Sequence, residues 1–107
     1  MNVHSITPAE LKRRLEAGED LLLLDVREPE EVALCRIEGS LCIPLGELAR
    51  RHVELDPLHA TVCVCHHGVR SARAAAALAQ RGFERLYNLS GGIDRWAEEV
   101  EFSMQRY

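Results

Sequence analysis

One cysteine in the sequence lies where a thiol could act as a nucleophile. Cys65 ends an apolar, β-branched run that begins at Thr61, and a short loop and a long alanine-rich segment follow it. This pattern predicts a strand, a loop and a helix that begins at Ser71, with the thiol facing the helix N-terminus. Free backbone N–H groups and a partial positive charge at a helix N-terminus stabilise anions. We therefore expect Cys65 to react as a thiolate near neutral pH.

The loop between this strand and this helix has the composition of an anion-binding site. Gly68 can adopt the positive φ that a tight loop requires, which lets successive amides point inward. Arg70 adds a fixed positive charge two residues later. An isolated cysteine is more commonly a buried core residue. The glycine, the arginine and the helix start directly after Cys65 favour a functional site.

A metal site is an alternative interpretation of the same stretch, with Cys63, Cys65, His66 and His67 as the ligands. Alternation along a strand places both cysteines on one face. Cys63 would then lie in a layer covered by helices, where a small apolar residue is expected. The four ligands also lack the paired spacing that is typical of zinc sites. We therefore expect no metal and no cofactor, and we interpret Cys63, Cys42 and Cys35 as structural cysteines.

The composition is that of one globular domain covering residues 1–107. Apolar residues make up 47% and charged residues 28% of the chain, and the formal net charge is −4. Nothing in the sequence forms a basic stripe, so we expect no nucleic-acid partner. The apolar run 21–24 is too short to span a membrane, and the first residues lack the pattern of a signal peptide. We expect a soluble cytoplasmic protein with reduced cysteines, as a monomer or weak dimer.

Short apolar runs alternate with helical patterns along the whole chain. This alternation predicts an α/β sandwich with a mainly parallel sheet. The predicted strands cover 3–6, 21–26, 41–43, 61–65 and 86–89, and the predicted helices cover 8–17, 29–34, 45–53, 71–81 and 93–100. Ligands of such sheets bind outside the carboxyl ends of the strands, and Asp25, Arg27 and Cys65 all lie at such ends.

Four segments of the chain together resemble the rhodanese homology family of sulfurtransferases in its single-domain form. They are Asp25-Val26-Arg27 with Glu31, Ile37-Glu38-Gly39-Ser40 leading to Ile43-Pro44-Leu45, Cys65 to Ser71, and Leu89 to Ile93 with Trp96. In this order and spacing they cover the chain from about Ile6 to Trp96. The resemblance implies a three-layer α/β/α sandwich in which a five-stranded sheet lies between two helical layers.

The resemblance also implies a reaction. In that family the loop cysteine takes the outer sulfur of a donor such as thiosulfate and holds it as a persulfide. It then passes the sulfur to a thiophilic acceptor, either cyanide or a thiol, which can belong to a protein. Cys65 would be the nucleophile, and Arg70 would help to bind the anionic donor. The amides that would cradle the sulfur belong to His66, His67, Gly68, Val69, Arg70 and Ser71.

Three further residues would support this site. We expect Asp25 and Arg27 to form an ion pair that braces the mouth of the site. Arg36 stands where the family has a histidine, and it either contacts the anion or, as is commoner for a charged side chain, faces solvent. The histidines of the loop stand where some efficient thiosulfate enzymes carry a cation, so thiosulfate is expected to be a modest substrate.

Cys35 replaces a glycine that the family has after its second helix. If the backbone path is retained, Cys35 has a positive φ and carries strain of roughly 1–2 kcal/mol. Replacing Cys35 with glycine would then stabilise the protein. The gain would be reduced because glycine increases the entropy of the unfolded state.

Two alternatives share the fold. Cysteine phosphatases and arsenate reductases have a loop that is one residue longer between the cysteine and the arginine. The four residues between Cys65 and Arg70 suit one sulfur atom better than a tetrahedral phosphate. A non-catalytic rhodanese-like module that binds partners would not need the nucleophile that is present here, although a persulfide relay to another protein stays open.

Overall fold

Five short strands form one sheet in the computed structural model, which describes residues 3–107. They are β1 Val3–Ile6, β2 Leu22–Asp25, β3 Leu41–Cys42, β4 Thr61–Val64 and β5 Leu86–Leu89. Their order across the sheet is β1-β5-β4-β2-β3, and every neighbouring pair is parallel. The predicted α/β fold with a five-stranded, parallel sheet is therefore confirmed.

Five α-helices connect and cover the strands. They are α1 Pro8–Glu16, α2 Pro29–Leu34, α3 Leu48–Arg51, α4 Val69–Ala79 and α5 Gly92–Glu99. The helix predicted over 45–53 is broken, because α3 is a single α-helical turn between two 3₁₀ turns, Leu45–Glu47 and His52–Glu54. Gly46 lies in the first of these turns, and a glycine disfavours a continuous helix at that point.

Two hydrophobic cores lie on opposite faces of the sheet, which gives the predicted three layers. One core contains side chains of β2, β4 and β5 together with Leu48 of α3 and Ala74, Ala75 and Leu78 of α4. The other contains the alternate side chains of the same strands with Leu11 of α1 and Trp96 of α5. The inner strands β2 and β4 thus bury both faces, which explains why these two strands are almost continuously apolar.

The helix after the loop begins two residues earlier than the sequence pattern predicts. Gly68 is the N-cap of α4 and has a φ of 104°, in the left-handed region that favours glycine. The turn at Gly68 ends the loop, so Val69 is already the first helical residue. The free N–H groups of α4 are therefore closer in sequence to Cys65 than predicted.

The predicted positive φ at Cys35 is wrong. Cys35 has φ −166° and ψ 154°, which is extended backbone, and within residues 3–107 positive φ values occur only at glycines. The carbonyl of Cys35 accepts a hydrogen bond of 2.7 Å from Arg27 Nη2, and this contact holds the chain in an extended path after α2. Three further expectations depend on a positive φ at Cys35 and are therefore withdrawn. They are the backbone strain, the stabilisation by Cys35→Gly and the alignment of Arg36 with the family's histidine.

Across residues 3–107, every helix is too short or too polar to cross a lipid bilayer.

Candidate active site

Cys65 lies at the carboxyl end of the central strand β4, at the start of the loop. Its residue surface is 1% exposed. Sγ accepts a hydrogen bond of 3.0 Å from the N–H of Gly68 and lies 3.2 Å from Oγ of Ser71. Ser71 is in the first turn of α4. The sulfur atom is therefore held on the inner side of the loop, at the N-terminus of α4.

A chain of hydrogen bonds continues from this sulfur atom to β5. The hydroxyl of Ser71 donates to Oδ1 of Asn88, and Nδ2 of Asn88 donates to the carbonyl of Gly68 at 3.1 Å. Because the only hydroxyl hydrogen of Ser71 is directed to Asn88, a protonated Cys65 thiol can donate to Ser71 Oγ. After Cys65 loses its proton, the Ser71 hydroxyl can turn to donate to the thiolate. Asn88 thus sets the resting orientation of a group that contacts the sulfur.

The beginning of α5 holds the loop from the other side. The N–H of Ile93 donates to the carbonyl of Cys65 at 2.8 Å, and the N–H of Asp94 donates to the carbonyl of His66 at 3.1 Å. Gly92 has a φ of 62°, and a Cβ atom at this position would overlap the carbonyl oxygens of His66 and Cys65. Glycine is therefore required here for α5 to approach the loop closely.

The supporting pair Asp25 and Arg27 is a fully buried ion pair. Nη2 of Arg27 lies 2.7 Å from Oδ2 of Asp25, and both side chains have no exposed surface. Nε of Arg27 donates to both carboxylate oxygens of Asp25. The same guanidinium bonds the carbonyls of Glu31 and Cys35, at 3.3 and 2.7 Å, which ties the end of β2 to α2.

Arg70 binds a carboxylate in this structure. Its Nη1 and Nη2 atoms lie 2.6 and 2.8 Å from the two carboxylate oxygens of Glu31 in α2. These hydrogen bonds lower the pKa of Glu31 to about 2, although partial burial opposes the shift. The positive charge of Arg70 is thus already paired before any anionic donor is bound.

The two loop histidines have different environments. The ring of His66 stacks on Tyr107 with the ring centroids 3.8 Å apart and the planes at 9°, and burial lowers the pKa of His66. Nε2 of His66 is buried without a hydrogen-bond partner in the described structure. His67 is exposed, and its Nε2 lies 3.7 Å from Oδ2 of Asp94. The lowered pKa makes the ring of His66 a weak source of positive charge at neutral pH.

A partial metal-ligand set occurs at these histidines. Within residues 3–107, potential ligand atoms of His66, His67 and Asp94 lie within 4.8 Å of one another. Arg106 donates to both carboxylate oxygens of Asp94, at 3.0 and 3.2 Å. The set offers three ligands, whereas a structural zinc site has four. It does not include Cys63 or Cys65, the cysteines considered in the sequence.

The remaining predicted residues lie away from the sulfur atom or on the surface. Val69 is 64% exposed at the first position of α4. Arg36 is exposed and donates to the carbonyl of Ser40 at 2.7 Å. It lines a cavity of about 680 Å³ together with Arg27, Cys35 and Cys42. Cys65 and the loop residues 66–70 are not among the residues that line this cavity.

Three residues that contact the site were not predicted as site residues. Glu31 belongs to one of the family motifs, but its pairing with Arg70 spans 39 positions of sequence. Asn88 is a polar residue in an apolar strand, which is a signal that could have found it. Tyr107 lies far from every motif, and we find no sequence signal for its contact with His66.

Comparisons with known proteins agree with this geometry. The family model described as a rhodanese-like domain matches residues 7–99. A sulfurtransferase of Allochromatium vinosum is 39% identical over 95 residues, which is 89% of this chain and 89% of that protein. The crystal structure of a rhodanese-related protein from Thermoplasma volcanium has a TM-score of 0.82 and 35% identity, and covers 91% of this chain and 93% of that one.

A longer relative contains the same domain as one part. The probable adenylyltransferase/sulfurtransferase MoeZ of Mycobacterium tuberculosis is 38% identical over 105 residues. The match covers 96% of this chain but only 27% of MoeZ, so this chain corresponds to about a quarter of that relative. Taken together, the matched residues and the fold show that the chain belongs to the rhodanese-like domain family, and that its relatives include proteins named as sulfurtransferases.

Proposed function

We propose that the protein is a sulfurtransferase that carries sulfane sulfur on Cys65. The observation that carries this proposal is the position of Sγ, held by the N–H of Gly68 beside Ser71 at the N-terminus of α4. A thiolate at this point is stabilised by the helix and by the loop amides. When Cys65 carries a second sulfur atom as a persulfide, the negative charge of the outer sulfur would be stabilised by the same helix and loop amides.

The reaction has two displacement steps. The Cys65 thiolate attacks the outer sulfur of a donor such as thiosulfate, the S–S bond of the donor breaks, and sulfite leaves with the bonding electrons. Cyanide or a thiolate then attacks the outer sulfur of the Cys65 persulfide. Thiocyanate or a new persulfide forms, and the Cys65 thiolate is regenerated. No net oxidation or metal ion is needed for either step.

The surrounding residues would act by holding the loop in place. The amides from His66 to Ser71 form the proposed cradle for the outer sulfur. Asp25 and Arg27 brace the end of β2 beside β4, since they are buried and bond the backbone of α2. Arg70 would assist an anionic donor to the extent that the donor competes with Glu31 for its guanidinium. We assign Arg36 no part in the proposed reaction, because its guanidinium bonds the carbonyl of Ser40 and the cavity that it lines includes no residue of the loop.

The acceptor class is a thiol, which includes protein thiols. Relatives named as a sulfur carrier and as an adenylyltransferase/sulfurtransferase are consistent with transfer to another protein. Thiosulfate and cyanide are the test substrates for the chemistry.

The intact mass of the protein tests the proposal directly. Incubation with thiosulfate should add one sulfur atom, and cyanide should remove it with release of thiocyanate. The Cys65→Ser variant should gain no sulfur, whereas a Cys42→Ser control should behave as the parent protein does. Failure to gain sulfur from any sulfane donor, or hydrolysis of p-nitrophenyl phosphate that depends on Cys65, would overturn the proposal in favour of a binding module or a phosphatase.

A further inference from the structure

The segment after α5 crosses the face of the molecule that carries the loop. Met104 packs against the core that contains Trp96, and its N–H donates to the carbonyl of Glu101 at 2.9 Å. Arg106 pairs with Asp94 and Glu98 on α5. These contacts hold residues 101–107 against α5 and place Tyr107 beside the loop.

Tyr107 contacts three structural elements, which are the loop, the end of β2 and α2. Its ring lies flat on His66, the residue after Cys65, with the centroids 3.8 Å apart. Its hydroxyl accepts a hydrogen bond of 3.0 Å from Arg27 at the end of β2, and donates one of 2.8 Å to Glu31 in α2. We call the space between His66, Arg27 and Glu31 the entrance. A single side chain that reaches all three residues must span the entrance.

The contacts of Tyr107 are made to groups that are themselves fixed. Arg27 is held by Asp25, and Glu31 is held by Arg70. Burial raises the pKa of Tyr107 to about 12, so the phenol is neutral and can donate to Glu31 throughout the ordinary pH range. Tyr107 is 38% exposed, whereas Cys65, the residue before its stacking partner His66, is 1% exposed. The ring therefore covers His66, next to the buried Cys65.

We propose that Tyr107 determines which reactants reach Cys65 by narrowing the entrance. Small reactants such as thiosulfate and cyanide reach the sulfur past the ring, and bulky thiols or sulfane donors reach it only when the ring has moved away. This proposal rests on the proposed function, since it concerns the choice of donor and acceptor. It assigns to Tyr107 contact with the reactants and no part in the bond-breaking steps.

Alkylation of Cys65 by reagents of two sizes tests the proposal without sulfur transfer. Rates with iodoacetamide and with fluorescein maleimide are measured at Cys65 by peptide mapping in the parent, Tyr107→Ala and Tyr107→Phe proteins. Phe102→Ala is the matched control, because Phe102 is an aromatic residue of the same segment and is 79% exposed. If the entrance is open in about a tenth of the molecules, Tyr107→Ala should raise the ratio of the maleimide rate to the iodoacetamide rate about tenfold.

The other variants refine this result. Tyr107→Phe keeps the stacked ring but loses the hydrogen bonds to Arg27 and Glu31, so its ratio should lie between those of the parent and Tyr107→Ala. Phe102→Ala should leave the ratio unchanged. The pKa of His66, measured by NMR, should rise in Tyr107→Ala, because removing the ring exposes an imidazole whose pKa burial now lowers. An unchanged ratio in Tyr107→Ala, or an equal rise in Phe102→Ala, would overturn the proposal.

Sulfur transfer from thiosulfate and from an aromatic thiosulfonate completes the test. Tyr107→Ala should raise kcat/KM for the aromatic donor relative to thiosulfate. If the alkylation ratio rises but the parent protein accepts sulfur from neither donor, the control of access stands and the proposed function fails. If sulfur is transferred but both ratios are unchanged, the proposed function stands and the role of Tyr107 fails.

Discussion

Cys63 and Cys65 lie two residues apart on the same face of the central strand, and both are buried, yet they have different surroundings. Cys63 is in register with Leu24 of β2 and Asn88 of β5, in the interior of the sheet. Burial raises the pKa of its thiol to about 12. Cys65 lies just past the last residue of β4, and its sulfur accepts the N–H of Gly68.

The difference lies in the backbone. Inside a parallel sheet the N–H groups are directed to neighbouring strands, so none is available to a side chain. Where the chain leaves the sheet, a turn and a helix start expose several amides at once. A buried thiol can therefore be inert or suited to hold negative charge, depending on whether it lies before or after the strand end.

The largest expected effect is on sulfur transfer, when Cys65 and Cys63 are each replaced in a separate variant. Cys65→Ser should abolish sulfur transfer. Cys63→Ala should leave kcat/KM nearly unchanged and cost about 1 kcal/mol of unfolding free energy, because it removes one buried sulfur atom. Thiocyanate formation and denaturant unfolding measure the two effects. Comparable losses of activity in both variants would break the distinction between the strand interior and the strand end.

The buried pair beside the strand end gives the next largest effect, on stability. Asp25→Asn leaves the guanidinium of Arg27 buried without its anionic partner, and should lower the unfolding free energy by about 3–5 kcal/mol. Urea denaturation measures this loss, with Asp20→Asn as the control because the side chain of Asp20 is 91% exposed. Equal small losses in both variants would mean that the pair does not brace this edge of the sheet.

A substitution that leaves Cys65 and all its polar contacts chemically intact can sharpen the comparison. Gly92→Ala should push the carbonyls of Cys65 and His66 away from α5 and displace the loop. We expect a loss of unfolding free energy of about 1–3 kcal/mol and a fall in kcat of up to about a hundredfold. Gly46→Ala is the control, since a Cβ atom there meets nothing within 4 Å. Full activity in Gly92→Ala would show that the position of the loop matters less than its composition.

The smallest expected effect is a change in the pH dependence of stability. The pKa of Glu31 is lowered from 4.5 to about 2, so its ionised form stabilises the folded state. This contribution is complete above pH 4.5 and is lost as the pH falls through about 2. Solvent screens this partly exposed pair and reduces the full value of the shift, so the parent protein should lose about 1–2 kcal/mol more than Glu31→Gln over this range.

Unfolding at several pH values measures this difference. The contributions of the other carboxylates to the pH dependence cancel, because both proteins contain them. Glu30→Gln, which removes an exposed carboxylate from the same helix, should keep the steep dependence of the parent. Parallel curves for the parent and Glu31→Gln would show that the Arg70–Glu31 pair does not stabilise the folded protein.

The features that local sequence patterns determine could be predicted. The strand Leu86–Leu89 and the helix Pro29–Leu34 have the predicted bounds, and Cys65, predicted as the last residue of the central strand, lies directly after it. These predictions depend only on hydrophobic periodicity and on residues that begin or end helices.

The features that depend on distant side chains could not be predicted in the same way. The extended backbone at Cys35 accompanies a hydrogen bond from Arg27, and the guanidinium of Arg70 is paired with Glu31 of α2. Tyr107 reaches the entrance only because residues 101–107 fold back against α5. A local pattern contains no information on which of several arginines meets which carboxylate or carbonyl.

The anchoring of the loop has a consequence for protein engineering. The heptapeptide from Cys65 to Ser71 is short enough to copy into another parallel sheet, but its carbonyls are bound by the amides of Ile93 and Asp94, and Asn88 binds Gly68. Those partners belong to the following strand and helix. The smallest portable unit therefore comprises residues 61–99, which are two consecutive βα units. A graft of the loop alone would place a cysteine in a scaffold that cannot hold it.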